Sequence, residues 1–201
     1  MTADHDTAAD PFARFAALFD AAKALPRAVL PEPTAFALGT VDESGRPSVR
    51  IVLLKAFDER GFVFYTNFES RKGRELLATK RAAMCFHWQA LEEQVRVEGV
   101  AEPVSDAEAD AYFASRERGS QLGAWASIQS SVMADADDLE RRVAEMEKKF
   151  AGAPVPRPPH WSGFRIVPDA IEFWKNMPSR LHVRHRYVKR DGGWRVERLY
   201  P

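Results

Sequence analysis

The chain has 201 residues, is 45% hydrophobic and carries 29 basic against 29 acidic side chains, so it can bury one substantial core but lacks the basic field of a nucleic-acid binder. One cysteine, Cys85, excludes a disulfide framework or a Cys-cluster metal site. No apolar run approaches the ~20 residues of a membrane helix, and residues 1–6 lack signal-peptide character, so a soluble, cytoplasmic protein is expected. In chain order, residues 1–9 are polar and read as disordered, leaving 10–201 as one domain. Asp10-Pro11 offers an N-cap and a first-turn proline, and Phe12, Phe15, Phe19 and Ala22 follow at helical spacing to about Leu25. Ala35 to Val41 is strand-like, and Asp42-Glu-Ser-Gly45 turns the chain into a strand over 48–55. Asp58-Glu-Arg-Gly61 turns it again into 62–67. A helix over 70–79 and strands over 82–88 and 94–103 come next.

Ser105-Asp-Ala-Glu108 fits a capping box, and the helix it opens carries Tyr112 and Arg116 four residues apart. Ser120 continues that spacing unless Gly119 ends the helix first. On spacing alone, Tyr112 reads as a half-buried anchor and Arg116 as a surface charge. Leu139, Val143, Met146 and Phe150 make a second amphipathic helix whose apolar stripe is read as core. After the stiff connector Pro154-Val-Pro-Arg-Pro-Pro159, strands are expected at 163–167, 170–174, 184–189 and 194–199. Short strands joined by turns predict a mainly β chain with flanking helices (α+β), built as an antiparallel barrel.

The most informative stretch is Arg50-Ile-Val-Leu-Leu-Lys55, Phe64-Tyr-Thr-Asn67 and Ser70-Arg71-Lys72. Ser70 is placed to cap a helix whose N-terminus offers backbone N–H groups and a positive dipole end. Arg71 and Lys72 at that point suit a phosphate better than a purely structural helix start. A phenol, a guanidinium and a hydroxyl at Tyr112, Arg116 and Ser120 suggest a second phosphate site. Gly-x-Gly-x-x-Gly and Walker loops are absent, and His5, His87, His160, His182 and His185 make no metal set.

These segments, with Glu93-Gln-Val-Arg-Val-Glu-Gly99, Gly119-Ser-Gln-Leu-Gly-Ala-Trp125, Gln129-Ser130, Glu172-Phe-Trp174, Arg180-Leu-His182 and Arg198-Leu-Tyr-Pro201, resemble the pyridoxine/pyridoxamine 5′-phosphate oxidase family. The resemblance runs in register from about Asp10 to Pro201. It implies an FMN-binding split β-barrel working as a homodimer, with FMN at the subunit interface and no nucleic-acid or membrane partner. The implied FMN contacts are Arg50, Ile51, Val52, Leu53, Leu54, Lys55, Tyr65, Thr66, Arg71, Lys72, Gln94, Gln129, Ser130, Trp174 and Arg184. The implied substrate contacts are Lys55, Tyr112, Arg116, Ser120, Arg180 and His182, the last two at the reacting end and catalytic. The implied reaction is oxidation of the phosphorylated alcohol or amine to pyridoxal 5′-phosphate, with hydride passing to FMN and O₂ as final acceptor.

Arg50 and Lys55 differ by an odd number, so a regular strand would send them to opposite faces, and a bulge or twist is needed for both to serve. The chain departs from the family at Val183, where an acid is common, and in Lys175-Asn-Met-Pro-Ser179. It also carries Glu32 where aspartate is frequent and shows no basic N-terminal segment. Two other readings are a related split-barrel FMN oxidase of phenazine-biosynthesis type and a non-catalytic flavin or pyridoxal phosphate binding protein. The Lys55, Tyr112, Arg116, Ser120 set argues against the first, because a phosphate-free ring has no use for it.

Overall fold

Nine strands form one antiparallel sheet among residues 10–191 and 193–201, which a computed structural model describes. The expected disorder of 1–9 falls outside those residues. The strands are β1 (Ala35–Val41), β2 (Pro47–Leu53), β3 (Ala56–Asp58), β4 (Gly61–Asn67), β5 (Arg81–Trp88), β6 (Glu93–Pro103), β7 (Trp161–Lys175), β8 (Val183–Arg190) and β9 (Gly193–Arg198). Their order is β2-β1-β5-β6-β7-β4-β3, with β8 paired to β7 and β9 to β8. The strands at the two ends of this order, β2 and β3, are separated in sequence only by Leu54 and Lys55. One short link joining opposite edges forces the sheet to curl, which is the split-barrel α+β architecture expected from the sequence.

The interior is aromatic. Helix α1 (Pro11–Ala24) is capped by Asp10, which accepts from Phe12 N at 3.0 Å. Its Phe15 is fully buried, with ring centroids 4.9 Å from both Phe57 and Phe62 and 5.1 Å from Phe86. Edge-to-face pairs like these add about 0.5–1.5 kcal/mol each beyond their area. Helix α2 (Arg71–Thr79) begins at Ser70, whose hydroxyl accepts from Gly73 N at 3.2 Å.

Three expectations need correction. The strands expected over 163–167 and 170–174 are one continuous strand, β7. Pro168 does not break it, because one neighbour changes there from β4, paired to 161–166, to β8, paired to 170–175. On the other edge β6 bulges between Glu98 and Gly99, and a Cβ on Gly99 would meet Val167 O at 2.1 Å. Second, the capping-box helix α3 (Asp106–Ala114) stops before Arg116, and Gly119 lies inside the next helix, α4 (Arg118–Ala126). Third, the apolar stripe of α5 (Asp138–Lys149) is core only at its C-terminal end: Phe150, just past the helix, is buried with Met146 packed against its cluster, whereas Val143 is half-covered and Leu139 exposed.

Candidate active site

The link between β2 and β3 also lines a cavity. Because β2 ends at Leu53, Lys55 lies past the strand and its side chain is no longer bound to strand parity. Lys55 N donates to Val63 O at 2.9 Å, which fixes the turn. Arg50 and Lys55 therefore line the same cavity, of about 700 Å³, without a bulge in β2. Ile51, Val52, Leu53, Tyr65, Thr66, Lys72, Tyr112, Arg116, Ser120 and Gln129 line it with them. Its wall thus holds four cations, Arg50, Lys55, Lys72 and Arg116, against one carboxylate, Glu117.

At one end the cations are organised by a carboxylate that sequence reasoning passed over. Glu75 is 6% exposed and accepts from Thr40 Oγ1, from Ser48 Oγ at 2.7 Å, from Arg71 Nε at 2.8 Å and from Arg50 Nη2 at 3.3 Å. Burial alone would raise its carboxyl, but those hydrogen bonds and the Arg50 charge outweigh it and hold the group at about 2. Its spacing of four from Arg71 on one helix was the available signal. Lys72 Nζ donates to Gln129 Oε1 at 2.9 Å, and Thr66 Oγ1 to the same oxygen at 3.3 Å. Desolvation, aided by the Arg50 charge, lowers the Lys72 ammonium to about 8. Arg71 N donates to Ser130 Oγ at 3.2 Å, so Arg71 and Ser130 brace the loop beside α2 rather than line the cavity. Leu54 points into the core at 3% exposure.

At the other end the rings stack. Tyr65 lies on Tyr112 with centroids 4.0 Å apart and planes at 11°, and on Trp161 at 5.5 Å and 6°. A Cβ on Gly163 would come within 2.8 Å of the Tyr65 ring, so glycine there lets that ring lie flat on the strand. Arg116 is half-buried, not the surface charge its spacing suggested; its guanidinium carbon stands 4.8 Å from the Trp161 ring centroid. Its Nη1 is buried without a hydrogen-bond partner, and desolvation lowers its pKa. Trp161 follows the proline-rich connector with no motif to mark it, and was missed.

The remaining expected residues gather elsewhere. Gln94, Trp174 and Arg184 lie side by side across β6, β7 and β8. Arg184 Nε donates to Glu172 Oε1 at 2.8 Å, and Trp174 meets the His182 ring at 4.5 Å between centroids. His182 and Arg184 line a smaller cavity of about 460 Å³ with Arg198 and Tyr200. Arg180 stands just before it, in a turn between β7 and β8. Trp161 and Trp174 mark opposite ends of β7, separated by about 40 Å of strand at ~3.3 Å per residue. None of the residues of this second group lines the cavity beside Tyr65. A third cavity of about 710 Å³, floored by Gly39, Ala83, Gly99 and Ala170, holds none of the expected residues.

The cation-lined cavity beside Tyr65 fits a phosphorylated, planar cofactor. Its size is within the range of small-molecule sites, its cations outnumber its acid, and one buried guanidinium nitrogen lacks a partner. Among the described residues no cluster of acids, histidines or cysteines is placed to hold a metal, and no helix is long and apolar enough to cross a membrane.

Residues 23–150 match a family profile described as pyridoxamine 5′-phosphate oxidase, and residues 161–201 match the pyridoxine 5′-phosphate oxidase C-terminal dimerisation region. The chain is 64% identical over 192 residues to a pyridoxine/pyridoxamine 5′-phosphate oxidase of Myxococcus xanthus strain DK1622, covering 96% of this chain and 92% of that one. It is 56% identical over 201 residues to one from Brucella canis, covering 98% and 97%. PhzG from Burkholderia lata 383, solved in complex with tetrahydrophenazine-1-carboxylic acid, superimposes with a TM-score of 0.87 at 33% identity, covering 98% and 95%. A pyridoxamine 5′-phosphate oxidase-related, FMN-binding protein of Nostoc punctiforme PCC 73102 shares the fold, with a TM-score of 0.74 at 18% identity over 97% and 100%.

Proposed function

The chain belongs to the pyridoxine/pyridoxamine 5′-phosphate oxidase family, and from that premise we propose how its residues divide the work. The reaction is oxidation of pyridoxine 5′-phosphate and pyridoxamine 5′-phosphate to pyridoxal 5′-phosphate. When bound, FMN supplies a hydride acceptor at N5 for the C4′ hydrogen, and O₂ restores it with release of H₂O₂.

The observation that carries the division is the buried, unpartnered Nη1 of Arg116 in a cavity with a second cation group at its far end. Two phosphates need two cation sites. Arg50, Lys72, Thr66 and Gln129, with Arg71 and Ser130 bracing them, hold the flavin phosphate end. The Ile51–Leu53 wall and Tyr65 flank the isoalloxazine. Lys55, Tyr112, Arg116 and Ser120 hold the substrate phosphate, and that remote binding energy aligns C4′. A buried guanidinium gains most from a dianion because little water competes for it. A phosphate-free ring would leave Arg116 unpaired, which disfavours a phenazine-type substrate.

Arg180 and His182 orient the reacting end, and Gln94, Trp174 and Arg184 complete the flavin's surroundings. Since these five belong to the opposite end of β7, each site takes them from the other protomer of a homodimer related by a two-fold axis. The test is an anaerobic spectrum of the FMN-loaded protein with each phosphorylated vitamer. Bleaching of the flavin band, with colour returning in air, is expected. A flavin that stays yellow with both would overturn the assignment.

A further inference from the structure

His182 holds its Nδ1 3.2 Å from the backbone nitrogen of Met177. A main-chain N–H can only donate, so Nδ1 accepts and its lone pair is engaged. A neutral imidazole in that arrangement carries its proton on Nε2.

The amide that imposes this is itself held. Asn176 N donates to Glu92 O at 2.9 Å, and Asn176 Nδ2 to Glu92 Oε1 at 3.1 Å. Beyond Met177, Pro178 limits the backbone, and Leu181 N returns to Pro178 O at 3.2 Å. Ser179 and Arg180 between them both take left-handed φ, 58° and 61°, which non-glycine residues keep only where the surroundings enforce it. The Trp174 ring packs on the imidazole. The turn is thus tied at both ends and closed on His182.

We propose that the Met177 amide is a positioning group that fixes His182 as an Nε2–H hydrogen-bond donor to the substrate beside C4′, and not as the base that removes its proton. The proposal rests on the oxidase reading only for what Nε2 faces; the tautomer is a property of the turn.

The test is a long-range ¹H–¹⁵N spectrum of the FMN-loaded full chain labelled at histidine. It is taken at about pH 8.5, roughly two units above the ordinary imidazole value of ~6.5. The His182 signals are identified by their loss in His182→Gln. A protonated Nε2 and an unprotonated Nδ1 are expected; a proton on Nδ1, or one averaged over both nitrogens, would overturn the proposal. Anaerobic flavin reduction supplies the second arm. Glutamine places an N–H near the position of Nε2, so His182→Gln should slow reduction by no more than about tenfold and His182→Ala by clearly more. Loss of about 10²–10⁴-fold in both, the range for a missing acid–base group, would overturn the donor role. If the unmodified chain fails to reduce flavin, the oxidase reading falls instead, while the nitrogen spectrum still decides the tautomer.

Discussion

The two ends of β7 are built to opposite plans. At the Trp161 end, rings stack nearly parallel, Arg116 is sunk beside them, and the nearby Glu75 carboxylate gathers Thr40, Ser48, Arg50 and Arg71. At the Trp174 end the turn that follows the strand is exposed: Arg180 sits there on a left-handed φ and Leu181 is 69% exposed, while Glu172 in the strand itself stays buried and paired to Arg184. The first end is pre-organised to bind charge and the second to present side chains outward. On the proposed division of roles, binding energy and chemistry fall to different ends of one chain, to be brought together by a second copy.

The strongest way to break that comparison is to damage each end separately. Arg116→Ala should lower kcat/KM by on the order of 10²-fold or more, because a buried charge partner of a dianion is removed, while FMN affinity stays near that of the parent. Arg180→Ala should lower the rate of flavin reduction with FMN affinity likewise retained. Mixing the two inactive variants with subunit exchange should then restore about a quarter of parental activity. Half of the randomly assorted dimers are mixed, and each mixed dimer has one site with both ends intact. No recovery after exchange, shown by mass spectrometry of the mixed dimer, would place both ends in one protomer's site.

A second test concerns the carboxylate that organises the binding end. Glu75→Ala leaves Arg50 and the Thr40 and Ser48 hydroxyls without their shared acceptor, and should destabilise the fold by about 3 kcal/mol. Glu75→Gln keeps an acceptor oxygen and should lose less. In the parent chain the Glu75 carboxyl lies below its ordinary 4.5, so its contribution is present above pH about 4.5. It is lost as pH falls through about 2. Urea melts between those limits should show a flatter acid slope in Glu75→Gln. An equal slope in both would remove Glu75 from its organising role.

How far these features could be read in the sequence depended on whether their causes were local. The Asp10 cap, the Ser70 cap and the capping box of Ser105 and Glu108 are satisfied within three residues, and each was legible. β1 was legible to the residue, because alternation alone sets it. Pro168 misled because its tolerance depends on β4 ending and β8 beginning on the same edge, which only topology supplies. The apolar stripe of α5 matched a core pattern, and it holds at Met146 and Phe150, where the Phe113, Leu122 and Trp161 cluster covers it, but not at Leu139, which stays exposed. The dispersed motifs located the cavity and the second group of residues. They did not reveal Glu75 or Trp161, whose importance comes from contacts across the fold, to Thr40 and Ser48 in one case and to Tyr65 and Arg116 in the other.

The finest discrimination comes from Lys72. Its ammonium loses its proton near pH 8 rather than 10.5 because the cavity desolvates it and Arg50 repels it. Between those values the unfolded chain binds a proton that the cofactor-free fold does not, so the stability of that form should rise with pH over the interval. FMN affinity should move the other way. A phosphate dianion needs the charged ammonium, and above about pH 8 binding must first take up a proton, weakening affinity by up to tenfold per pH unit. Flavin-fluorescence titrations from pH 7 to 10 would read the second trend and denaturant melts of the cofactor-free protein the first. Lys72→Arg should flatten both, since a guanidinium stays charged throughout. The same opposed trends persisting in Lys72→Arg would assign them to another group, and the flavin phosphate would no longer belong at the start of α2.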